Sequence, residues 1–173
     1  GGTLSWYASP KSDQYHTDGL LAADAEWVLE RCAKQRQRPF FLAVGFYRPH
    51  TPYVAPQEPY FGYYPESQMR VVQGVAEDQA DLPPAALGSY KREQDKLTDD
   101  LRRQCLQAYY ASISFMDAQV GRVMEALDRL GLADNTIIVF TSDHGYHMGE
   151  HGLWQKMSVF EESARVPLLI VAP

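Results

Sequence analysis

The sequence predicts an α/β fold, a mostly parallel sheet flanked by helices, with only part of a domain present. Three observations predict it. Apolar runs of strand length, 40–46, 137–140 and 166–171, carry continuous rather than alternating apolarity. Such runs suit strands covered on both faces, as in a parallel sheet. Segments with helical periodicity stand between them, and an alternation of helices and strands points to an α/β layer architecture. The chain also opens at Gly1 without Met and closes at Pro173 straight after an apolar run. The expectation is that residues 1–173 are an internal portion of a larger domain, with a long Pro/Tyr-rich loop at about 47–97.

The elements follow in order. Thr17 is placed to cap a helix, with Asp18 in its first turn. Leu20, Leu21, Ala25, Trp27, Val28 and Cys32 recur mostly at three- and four-residue steps, which predicts an amphipathic helix to about Arg36. Arg31, Lys34, Arg36 and Arg38 then complement the negative end of the helix dipole, and Pro39 stops the helix. Phe40–Phe46 reads as a strand. Seven prolines, from Pro49 to Pro84, mark the long loop that follows, which is either functional or carries small elements of its own. Thr98, with Asp99 and Asp100 behind it, opens the strongest helix. Its stripe runs through Leu101, Cys105, Ala108, Tyr109, Ser112, Phe115, Met116, Val120, Val123, Met124 and Leu127 to Leu130, with Gly131 as the residue after the cap. Thr136–Ser142 and Pro167–Val171 are the remaining strands.

Composition narrows the function classes. Of 173 residues, 45% are hydrophobic and 22% charged, so a packed globular chain is expected rather than a disordered one. The formal net charge is −6 with no basic block, which argues against nucleic acid as a partner. No apolar run approaches the about 20 residues that span a bilayer, so no membrane segment is expected. Cys32 and Cys105 lie in no Cys-x-x-Cys pair and read as helical packing residues. There is no Gly-x-Ser-x-Gly elbow and no phosphate-binding Gly-x-x-x-x-Gly-Lys loop.

Chemistry-bearing side chains gather where strands run out. In open α/β sheets, ligands sit beyond the carboxyl ends of the strands. One strand runs into Tyr47-Arg48-Pro49-His50-Thr51-Pro52, another into Thr141-Ser142-Asp143-His144-Gly145. Parallel neighbouring strands would turn His50 and Asp143-His144 into one crevice. Asp143 and His144 suit a divalent cation, with Gly145 allowing a sharp turn. The other reading is that Asp143 caps a turn and His144 packs. Two ligands do not complete a site, so others must come from elsewhere. His144, His147 and His151 have the spacing of a helical zinc face, but Gly145, Gly149 and Gly152 break the segment into a loop. Lys156 either neutralises an anion in the crevice or is a surface lysine, and spacing alone leaves both open.

The segment Thr141-Ser142-Asp143-His144-Gly145-Tyr146-His147-Met148-Gly149-Glu150-His151-Gly152-Leu153-Trp154-Gln155-Lys156 resembles the second metal-and-sulfate segment of type I sulfatases, in the alkaline phosphatase superfamily. Phe40–Pro52, with its core Gly45-Phe46-Tyr47-Arg48-Pro49-His50-Thr51-Pro52, resembles the upstream histidine segment of that family. Tyr109–Leu130 and Phe160–Leu168 also resemble it, and the resemblance is weakest over 66–95. The iduronate-2-sulfatase-like branch is the nearest in pattern, and choline sulfatase is similar over the last segment.

The resemblance implies a calcium-dependent sulfuric ester hydrolase acting on a small-molecule or glycan sulfate ester. It implies Asp143 and His144 as calcium ligands, His50 and Lys156 as catalytic sulfate contacts, and His151 as a further substrate contact. It implies a formylglycine nucleophile made from Cys or Ser in a Cys-x-Pro-Ser-Arg-type motif. Neither Cys32-Ala33-Lys34-Gln35 nor Cys105-Leu106-Gln107-Ala108 matches that motif, and the family's early Asp pair is not found. The expectation is that the nucleophile and remaining ligands lie in a missing remainder of the domain, and that this chain alone is inactive. A periplasmic, secreted or lysosomal setting follows from the resemblance. Two other classes stay open: a phosphodiesterase or phosphonate monoester hydrolase of the same superfamily, and a non-catalytic sulfatase-like module.

Overall fold

A computed structural model describes residues 4–173. Its backbone is a 31-residue helix, α3 (Asp99–Arg129), against which the helix over 17–33 and the strands over 6–9 and 53–56 pack. Both ends of α3 are where the sequence puts them. Thr98 is the N-cap, its hydroxyl accepting the Leu101 N–H at 3.3 Å. At the other end, Gly131 takes φ +61°, with Gly131 N–H on Asp128 O and Leu132 N–H on Leu127 O. That is a Schellman cap, and the left-handed residue explains the glycine. Arg36 adds hydrogen bonds to the carbonyls of Leu130 and Gly131.

The buried stripe of α3 is Cys105, Ala108, Ser112, Phe115, Gln119 and Ala126. These steps of three, four and seven keep one face inward. Helix α1 (Thr17–Ala33) crosses it, bringing Leu29 onto Ala126, Leu127 and Leu132. A second cluster holds Tyr53, Cys105, Leu106, Met148 and Trp154. Both cysteines lie in helices, Cys105 fully buried and Cys32 partly so. No helix among the described residues is long and apolar enough to cross a membrane.

Two strand pairs stand out. β1 (Trp6–Ser9) and β2 (Tyr53–Pro56) pair in parallel, Trp6 opposite Tyr53. β3 (Ile138–Thr141) and β4 (Leu168–Val171) pair antiparallel, Ile138 opposite Val171. The expected strands over 136–142 and 167–171 are therefore present, but they run against each other. Continuous apolarity does not encode strand direction.

The strand expected over Phe40–Phe46 needs correction. It joins no ladder among the described residues. Its exposure alternates, with Phe40, Leu42, Val44 and Phe46 partly covered and Phe41 94% exposed. Period two is the signature of extended chain. Phe40 and Leu42 rest on the Leu29–Leu127 cluster, so one face is covered and the other is open. β4 is likewise exposed along its length. The long loop of 47–97 carries β2, four short 3-10 turns and a five-residue helix, α2 (Val75–Gln79); α4 is Glu161–Ala164.

Candidate functional site

The loop after Phe46 is held from below by one carboxylate. Asp18 lies in the first turn of α1 and is buried. Its Oδ1 accepts the Tyr47 N–H at 2.8 Å, and its Oδ2 the Arg48 N–H at 2.9 Å. Arg48 then reaches forward, donating to the carbonyls of His50 at 2.8 Å and Pro52 at 2.6 Å. Burial pulls the Arg48 pKa below its ordinary value, and the Asp18 charge opposes that shift. The backbone from 47 to 52 is thereby tied at both ends.

His50 sits at the crest of this loop, exposed. Its Nδ1 lies 2.7 Å from the Thr51 carbonyl. A carbonyl can only accept, so Nδ1 carries the proton and the neutral ring presents a lone pair at Nε2. Lys156 Nζ is 3.0 Å from that Nε2, although the two residues are 106 positions apart. The fold thus brings together an ammonium and an imidazole from separate segments. Both can meet one oxygen of a tetrahedral anion.

Asp143 and His144 leave the end of β3. Asp143 is 83% exposed in its side chain. Its Oδ1 accepts the N–H of His144 at 3.0 Å, and its Oδ2 lies 3.4 Å from His144 Nε2. Desolvation raises the Asp143 pKa, but His144 and the backbone and Ser142 donors outweigh it and hold the carboxyl below its usual value. His144 Nδ1 lies 2.7 Å from the Gly145 carbonyl, which again assigns the proton to Nδ1. With the ring neutral, Nε2 and Oδ2 are two lone-pair donors side by side; with it protonated, the ring pairs with the carboxylate instead. Adjacent ligands at roughly 2.4 Å from a cation and at right angles lie about 3.4 Å apart. A ring N–H given to a backbone carbonyl is also the usual support of a ligating histidine. The pair fits two vertices of a metal site. No group of three or more such ligands occurs among the described residues.

Gly145 anchors this turn. Its N–H donates to Ser163 O at 2.8 Å, in α4. An added Cβ would lie 2.1 Å from Glu162 O. The approach of the two backbones requires glycine.

The other two histidines of the segment take different environments. His147 is fully buried, its Nε2 2.8 Å from Ser158 Oγ. Burial lowers its pKa, against the opposing charges of Glu162 and Glu150. His151, at φ +55°, stacks on Phe160 at 3.9 Å. Its Nδ1 is 2.8 Å from Asp78 Oδ2 and its Nε2 3.7 Å from Glu162 Oε2. It borders a cavity of about 230 Å³ lined also by Val72, Val75 and Glu150. His151 is thus engaged with carboxylates of the long loop and of α4.

Sequence reasoning missed Asp18 and Arg48. Asp18 looks like an ordinary acidic residue in a first helical turn. Arg48 sits inside the histidine segment without a signal of what its guanidinium holds.

Comparison with known proteins adds the context. The family model described as Sulfatase matches residues 2–173. A sulfatase of Formosa agariphila is 37% identical over 173 residues, covering 97% of this chain and 33% of that protein. Iduronate 2-sulfatase of Mus musculus is 40% identical over 170 residues, covering 90% of this chain and 30% of that protein. The crystal structure of the phosphonate monoester hydrolase of Agrobacterium radiobacter superposes with TM-score 0.80 at 28% identity, covering all of this chain and 37% of that one. The chain spans about a third of the length of the curated relatives it matches.

Proposed function

The chain belongs to the sulfatase family, and on that premise we propose that the protein carrying it hydrolyses sulfate esters of sugars or other small molecules. One observation carries the reading above family membership. His50 Nε2 and Lys156 Nζ converge to 3.0 Å from segments 106 residues apart. Buried structure does not need an exposed imidazole beside an ammonium, whereas a sulfate oxygen does.

In the proposed mechanism, the Lys156 ammonium donates a hydrogen bond to His50 Nε2 while no ester is bound. An arriving sulfate oxygen takes over as acceptor of the Lys156 N–H. His50 already commits its Nδ1 proton to Thr51. Once the Nε2 lone pair is free of Lys156, the ring takes up a second proton from solvent and, as imidazolium, donates it from Nε2 to the leaving ester oxygen as the ester bond breaks. Asp143 and His144 would hold part of a calcium site, and calcium there would supply positive charge against the ester oxygens. The nucleophile is a formylglycine from a residue outside this sequence. Cys105 lacks the Cys-x-Pro-Ser-Arg-type motif, and burial, which pushes its thiol up to about 12, also disfavours it as a thiolate nucleophile.

The likeness to a phosphonate monoester hydrolase favours a second reading. A phosphonate monoester offers the same tetrahedral oxygens to His50 and Lys156. The experiment is steady-state turnover by the full-length polypeptide of an aryl sulfate and an aryl phosphonate ester, with calcium and after chelation. Faster sulfate turnover that chelation abolishes is expected. Preference for the phosphonate would install the second reading, and no turnover of either would defeat both.

A further inference from the structure

The geometry points to Asp18 as the positioning residue of the site, setting the 47–52 backbone so that Arg48 fixes His50 with Nε2 toward Lys156. An acidic residue in a first helical turn ordinarily serves its own helix, facing the dipole or the orphan N–H groups. The Asp18 carboxylate does otherwise. Both of its oxygens are given to backbone donors 29 and 30 residues onward. The residue is 1% exposed, and burying a carboxylate is costly unless its partners are this well placed.

Two facts show why a carboxylate stands here. Tyr47 and Arg48 present successive N–H groups, and two acceptor oxygens on one planar group meet both. An amide or hydroxyl would satisfy one and leave the other buried without a partner. The partly buried Arg48 guanidinium also needs a counter-charge, and Asp18 supplies it. With its backbone and charge both held, Arg48 spans the turn and binds the carbonyls of His50 and Pro52. The Thr51 carbonyl, which lies between these two, receives the His50 Nδ1 proton. The ring state of His50 is therefore set by backbone oxygens whose places depend on Arg48, and through it on Asp18. Asp18 acts through these groups and touches no substrate.

This inference rests on the sulfatase reading for its activity arm only. The test uses the full-length polypeptide with 15N-labelled histidine, comparing wild type with Asp18→Asn. Wild type should show His50 as the neutral Nδ1–H ring, assigned with His50→Gln. Asp18→Asn should mix in the Nε2–H ring and lower kcat/KM for an aryl sulfate by about 100-fold, as a misplacement of about 1 Å does. The loss should fall mainly on kcat. An unchanged His50 signal, or kcat/KM within twofold, overturns the inference. Should Asp18→Asn fail to fold, Arg48→Gln tests the same chain of contacts, with the same outcomes. If wild type turns over no sulfate ester while His50 still responds, the sulfatase reading falls and the positioning role stands. If wild type is active and the variant matches it in both readouts, the reverse holds.

Discussion

Gly145→Ala is the substitution for which the structure gives the clearest expectation. The new methyl would start 2.1 Å from Glu162 O, 3.0 Å from Glu162 C and 3.1 Å from Arg165 O. All three are backbone atoms, so no side-chain rotation relieves the clash. Restoring an ordinary carbon–oxygen contact needs a displacement of about 1 Å. That takes the Gly145 N–H to Ser163 O bond, now 2.8 Å, out of hydrogen-bonding range. Overpacking costs about 1–3 kcal/mol, and the lost bond about 1 more. The same movement shifts the carbonyl that receives the His144 Nδ1 proton, and with it the Asp143–His144 pair. Thermal unfolding and aryl sulfatase turnover of the full-length polypeptide read both effects. A melting midpoint lower by several degrees and turnover reduced by about 100-fold are expected. Gly121→Ala is the control, since nothing lies within 4 Å of its added Cβ. There the helix should gain about 0.5–1 kcal/mol. If Gly145→Ala melts like wild type and keeps its turnover, the turn after β3 is not packed on α4 in the way described.

Further expectations concern the charged groups and the buried histidine. Lys156→Ala should lower kcat for an aryl sulfate by about 10²–10³-fold with a smaller change in KM, by steady-state kinetics; a kcat within threefold of wild type would remove the ammonium from the reaction. Asp143→Ala should weaken calcium binding at least about tenfold with an unchanged circular dichroism spectrum; equal affinity in titration calorimetry would exclude it as a ligand. The His147 pKa is depressed by burial in the folded chain. Its stabilising contribution is present above the unfolded value of about 6.5 and is lost as pH falls below it toward the folded value. His147→Gln should flatten that part of the stability–pH profile, and a slope equal to wild type would show that another group titrates there.

The sequence spoke clearly where a signal is local. Thr98 and Gly131 bound α3 because a cap hydroxyl and a left-handed glycine are chemical requirements of helix ends. The α/β class was legible from the same periodicities. β1 and β2 were not, since Trp6–Ser9 carries no continuous apolar run and Tyr53–Pro56 stands among prolines and ends on one. The antiparallel sense of β3 and β4 was also hidden, because direction is a property of the connection. Within the site, His50, Asp143, His144 and Lys156 were named from strand exits and resemblance. The approach of His50 to Lys156 is a tertiary fact, as are the contacts of Asp18. A carboxylate in a first turn carries no mark of which distant backbone it will hold.

His50 and His144 share one local device. Each gives its Nδ1 proton to the carbonyl of the next residue at 2.7 Å. Each neutral ring is thereby left with an outward lone pair at Nε2, and its neighbour decides the chemistry. Beside Asp143 Oδ2, at 3.4 Å, a second lone pair repels the first unless a cation or a proton stands with them, which makes a ligand pair. Beside the Lys156 ammonium, the same lone pair becomes a proton acceptor that an incoming oxygen displaces. What must be fixed in both places is a backbone carbonyl rather than a side chain. Residues 50–52 are fixed through Arg48 and Asp18, and residue 145 through its contact with α4. Substitutions at Asp18 and Gly145 should therefore change the ring states of His50 and His144 respectively, each without touching the other.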